Sequence, residues 1–174
     1  MLVVGKKKMD FNIIRSDKRK KTISAREVDG VIHLYLPMGL SRDEELQYVR
    51  WATKRFEAQG RKEELKAKNA DSELEQRAQE LNKQYFGGEL AWTQICYTTE
   101  QNACTFGTCN TIKKTIRISD RLLNMPIFVH DYVVVHELAH LKVPKHGPEF
   151  WQLVSRYPKT ERARGYLMAI GMRD

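Results

Sequence analysis

Apolar and polar residues alternate through residues 21–37, KTISAREVDGVIHLYLP, and Ile32, Leu34 and Leu36 share one face at period two. Asp29-Gly30 divides the run. Asp-Gly supplies the positive φ angles of a two-residue turn, so the spacing predicts a β-hairpin closed by Pro37. From Ser41 the period changes to that of a helix: Leu46, Val49, Ala52 and Phe56 fall on one face, and Ser41 with Glu44 has capping-box spacing. Gly60 is expected to interrupt this helix. After the charged stretch RKEELKAKNADSE, Ser72 with Glu75 signals a second start, Leu74, Ala78, Leu81 and Tyr85 form its apolar face, and Gly87-Gly88 ends it. Two helices, or one broken helix, are expected across residues 42–86.

Residues 90–119 change character. LAWTQICYT, CTFGTCN and KKTIRIS are rich in β-branched and aromatic residues and predict three short strands, with Gly107 in or beside one of them. Pro126 suits the first turn of a following helix, with Asn124 as a cap. Val133, Val134 and Val135 favour a strand locally, but the histidines after them make sense at helical spacing, and helix is the reading adopted. Pro144 ends this helix, Pro148 starts another through EFWQLVSRY, and a last helix follows Pro158.

With 174 residues and 41% hydrophobic content, the chain can build one core. The expected organisation is a basic segment and β-hairpin over residues 1–40 and a core over 41–174, together one compact domain. Charge sharpens this division. Residues 1–26 hold nine Lys or Arg, Lys6, Lys7, Lys8 and Lys18–Lys21 stretch included, against Asp10 and Asp17, a net of +7 out of +8 for the whole chain. Such a segment can attract the phosphates of nucleotides or nucleic acid, or be a solvated face, and no aromatic residues interleave the lysine runs for base stacking. Cys96, Cys104 and Cys109 form no Cys-x-x-Cys pair, which argues for reduced, mostly buried thiols. No apolar run reaches the roughly 20 residues that cross a bilayer, and MLVVG gives way to lysines too early for a secretory signal, so cytoplasmic residence is expected.

The stretch HELAHLKVPKH, residues 136–146, adds candidate chemistry. On a helix His136 and His140 point two imidazoles at one ion, and Glu137 lies beside it as the base for metal-bound water. His146 is the preferred third ligand, since it sits on the turn past Val143-Pro144, with Glu149 of the next helix as its rival. Three protein ligands leave a position for water, as in catalytic zinc sites. The spacing from His136 to His146 equals that of metzincins, but Val143 stands where their turn needs glycine. Tyr132, one turn earlier, is an oxyanion candidate set against a core tyrosine, and Asp131 is a candidate for orienting the histidines.

These residues resemble the YgjP-like metal-dependent hydrolases, relatives of the SprT-like and minigluzincin zinc-peptidase domains. The likeness runs through RSDKRKKTIS, LPMGLSRDEELQYVRW, CTFGTCN and DYVVVHELAHL with His146, Phe150 and Trp151. CTFGTCN sits where the family carries an Arg-Trp-Gly-Ser-Cys signature; Phe106 and Thr108 replace its tryptophan and serine, and Ala103 and Cys104 flank the arginine position. The resemblance implies an α+β fold in which a small mixed or antiparallel sheet packs on a zincin-like helix. It implies one zinc held by His136, His140 and His146, with Glu137 as the base. Two substrates fit that chemistry: a peptide, which would add to the edge of the strand near residues 111–118, and a nucleoside triphosphate, UTP, which would bring its own divalent cation. A non-enzymatic module with structural zinc is the third reading, against which the presence of Glu137 counts.

Overall fold

The computed structural model describes residues 9–100 and 105–171. Lys6, Lys7 and Lys8 of the basic segment, and Ala103 and Cys104, lie outside the described residues. The fold is α+β, and the chain divides into two compact units, residues 1–60 and 61–174.

In the first unit, β2 (Ser24–Val28) and β3 (Val31–Pro37) form the expected hairpin, with Val28 opposite Val31. Asp29 and Gly30 take φ of 53° and 80°, the positive angles of the tight turn. The pattern had not revealed β1 (Asp10–Ser16), which lies parallel to β3 on its other side and gives the order β1-β3-β2. Ile32, Leu34 and Leu36 are buried on one face, against Ala52, Val49 and Phe56 of α1 (Arg42–Ala67); Leu46 is exposed. The capping box at the start of α1 is reciprocal: Glu44 N–H donates to Ser41 Oγ at 3.3 Å, and Ser41 N–H donates to Glu44 Oε2 at 2.8 Å.

Gly60 does not interrupt α1. Its place in an exposed helix costs about 1 kcal/mol relative to alanine, which the surrounding helix absorbs. The break falls instead at Asn69, whose φ of 52° is left-handed, and α2 (Ala70–Phe86) starts before Ser72. Asparagine tolerates that conformation better than most residues. Gly87, with φ of 69°, ends α2 as expected, and Gly88 N–H donates to Asn82 O at 3.1 Å.

The second unit holds a mixed sheet of β4 (Gln94–Thr98), β5 (Gly107–Asn110) and β6 (Thr115–Ser119), in the order β4-β6-β5. β6 is parallel to β4 and antiparallel to β5. Register puts Ile95, Ile116, Ile118, Gly107 and Cys109 on one face. A 3-10 turn (Asp120–Asn124) follows, so Asn124 closes that turn rather than capping α3 (Ile127–His140), whose cap position is Pro126. Ten of the fourteen residues of α3 are buried, among them Val133, Val134 and Val135, because α2, the sheet, α4 (Pro148–Val154) and α5 (Thr160–Ala169) all pack on it. Burial on nearly every side outweighs the weak helix propensity of the valine run. Among the described residues no helix is long and apolar enough to cross a membrane.

Candidate active site

Helical spacing in the last turns of α3 sets His136 and His140 on one side, and the turn after α3 brings His146 over them. His146 Nε2 lies 3.0 Å from His136 Nε2 and 3.1 Å from His140 Nε2. Among the described residues these three are a group that could hold a metal ion, and Glu149 is exposed and outside it. Zinc–nitrogen bonds of about 2.0–2.1 Å in a tetrahedral site place ligand nitrogens about 3.3 Å apart, close to the separations seen. His140 Nδ1 donates to the Val143 carbonyl at 3.3 Å, which leaves its Nε2 lone pair for an ion. Burial holds His140 below its ordinary pKa despite that bond, so the ring stays in the neutral, metal-binding form.

Glu137 lies on the same helix but is 5% exposed. Burial pushes its carboxyl up to about 8. It shares a cavity of about 340 Å³ with the histidines, and the wall opposite α3 is β5 with its neighbours Thr105, Phe106 and Thr111. Gly107 is the closest point of that wall: a Cβ built there would sit 2.7 Å from Glu137 Cγ and nearer still to its Oε1. A glycine inside a strand signals such close approach, but the sequence could not say what approached it. Cys109, two residues on, also lines the cavity, and burial together with the charge of Glu137 pushes its thiol up to about 11. Cys96 and Cys109 are both free and half-buried.

Tyr132 is buried at 1% exposure and lines the cavity, its ring edge-on to His136 with centroids 5.9 Å apart. Asp131 is turned to α2, where Arg77 grips it through Nε at 2.9 Å and Nη2 at 2.7 Å. Of the basic segment, Lys18, Lys20 and Lys21 are exposed, while Arg19 donates to Ser24 Oγ at 3.0 Å and covers the Tyr35 ring.

A family model described as YgjP-like, metallopeptidase domain, matches residues 21–169. The chain belongs to the YgjP-like family. That makes it a metal-dependent hydrolase by domain, and the matched span contains the whole histidine cluster and Glu137. Among solved structures, this YgjP-like chain is similar to the metallopeptidase zymogen of Pyrococcus abyssi abylysin, with 20% identity and a TM-score of 0.48 over 57% of this chain and 96% of that one. No curated protein matches it.

Proposed function

We propose that this YgjP-like chain is a zinc-dependent peptidase in which His136, His140 and His146 hold one zinc ion and Glu137 is the general base. The observation that carries the reading is the convergence of three imidazole Nε2 atoms to within 3.0–3.1 Å along two sides, in one cavity with a buried carboxyl group. Three nitrogen donors suit zinc, and a group of three donors among the described residues leaves a fourth position for water.

Held by His136, His140 and His146, zinc would supply a Lewis acid for the water and the substrate carbonyl. Glu137 accepts the proton of the attacking water on a carboxylate oxygen and returns it to the nitrogen of the departing amine as the C–N bond breaks. The missing side chain at Gly107 gives that carboxyl group its space. β5 is an outer strand of its sheet, whereas β6, to which most of residues 111–118 belong or lead, is flanked on both sides. A peptide substrate therefore adds along β5 rather than β6, using main-chain hydrogen bonds.

Threonines, glycine, aromatic rings and histidines line the cavity, and its described lining contains no lysine or arginine, the residues that neutralise a triphosphate. This favours a peptide over UTP. The test measures bound zinc in the purified protein and in Glu137→Ala, then assays both on an unfolded protein and on UTP. Cleavage of the unfolded protein, reduced at least ~100-fold in the zinc-loaded variant, is expected. Cleavage of UTP alone, lost on neutralising Lys18, Lys20 and Lys21, would replace the peptide reading.

A further inference from the structure

His146 differs from its two companions in being carried by a turn rather than a helix, and it is exposed. An exposed side chain on a turn loses rotamer freedom when it is fixed. Two consecutive rings at the start of α4 meet this imidazole. Trp151 lies nearly parallel to it, with an interplanar angle of 24° and centroids 5.7 Å apart. Phe150, fully buried, touches all three imidazoles: it stacks on His140 at 4.4 Å and 27°, and meets His146 at 4.7 Å and His136 at 4.8 Å edge-on. Trp151 is itself braced from its other neighbours by Arg164 of α5, whose guanidinium carbon lies 4.5 Å from its ring centroid.

Resting on the zinc site proposed above, we infer that Phe150 and Trp151 are positioning residues that pre-set the three imidazoles for the metal. Phe150 spaces the histidines from below, and Trp151 holds His146 in its ligating rotamer before the ion arrives. Outer partners of metal ligands act in this way through hydrogen bonds, and here ring packing takes that part. The arrangement follows from chain order. Pro148 in the first turn of α4 fixes the helix start, and the rings two and three residues on, Phe150 and Trp151, meet His146 of the preceding turn.

The test uses the full chain with zinc and, separately, cobalt(II). Zinc affinity is read by competition with a chromophoric chelator, and cobalt reports ligand geometry through its visible absorption. Trp151→Ala and Phe150→Leu are expected to weaken zinc binding ~10-fold or more and to alter the cobalt spectrum. Trp151→Phe, which keeps a flat ring, recovers most of the affinity. Leu153→Ala, in the same helix and buried at 6% exposure, lowers thermal stability but leaves zinc affinity unchanged. Should Trp151→Ala fail to fold, Phe150→Leu and Trp151→Leu carry the same measurement. Wild-type affinity and spectrum in the folded ring variants, or equal weakening by Leu153→Ala, overturns the inference alone. A wild-type chain that takes up no zinc overturns the proposed function and this inference with it.

Discussion

At residue 107 the difference between hydrogen and methyl decides where a carboxyl group can lie. Gly107→Ala is expected to leave the fold and zinc content intact, because residue 107 supplies no ligand, while kcat falls about 10- to 100-fold as Glu137 is displaced by a fraction of an ångström or more. Glu137 also makes a pH prediction. Burial raises its carboxyl from 4.5 to about 8, so the folded state binds its proton more tightly than the unfolded chain. The stability this confers is complete below the unfolded value and is lost as pH rises through about 8. Glu137→Gln removes the titration. In excess chelator, its melting temperature should exceed that of the wild type by more at pH 8.5 than at pH 5. The HExxH spacing was legible because helical periodicity converts sequence distance directly into direction. The contact between Gly107 and Glu137 was not, because thirty residues of chain separate the partners.

Among elements, α2 and α3 are tied by the Arg77–Asp131 pair. Burial pushes the Asp131 carboxyl up, but the hydrogen bonds and charge of Arg77, aided by His130, outweigh it and hold the carboxyl below its ordinary value. Arg77→Met leaves Asp131 buried without that partner. After discounting for solvent around the 37% exposed Arg77, the cost is about 1–3 kcal/mol in denaturant unfolding at pH 7. The pair stabilises the fold above the unfolded carboxylate value of 3.8 and loses its effect as pH falls through the depressed folded value. The gap between wild type and variant should therefore narrow on acidification to about pH 3. The hairpin, the two caps of residues 41–44 and 87–88, and the helix after Pro126 could be read because their signals are local. β1 could not, since its partner β3 lies some twenty residues on and pairs in parallel, with no turn residue to announce it. Gly60 misled for the complementary reason: a glycine weakens a helix without ending it.

For the whole molecule, the histidine cluster, Glu137 and their packing partners belong to residues 61–174, while the hairpin and β1 belong to residues 1–60. Zinc that binds only the folded second unit stabilises it by mass action, about 2.7 kcal/mol at a free concentration 100 times Kd. Chelation should accordingly speed amide hydrogen exchange through α3 and α4 and leave β1–β3 unchanged, a contrast visible by mass spectrometry of peptic fragments. Charge is concentrated more narrowly than that division: the first 26 residues carry +7 of the +8 of the whole chain.

Cys109 brings these scales together for anyone seeking a covalent ligand. Its thiol stands in the cavity wall, yet a pKa pushed up to about 11 by burial and by Glu137 leaves only ~1 thiolate in 10,000 at pH 7. Simple alkylating agents will pass it by. An electrophile first anchored at the histidines gains residence beside a thiol that diffusing reagents seldom capture, and selectivity then comes from the anchor rather than from the warhead.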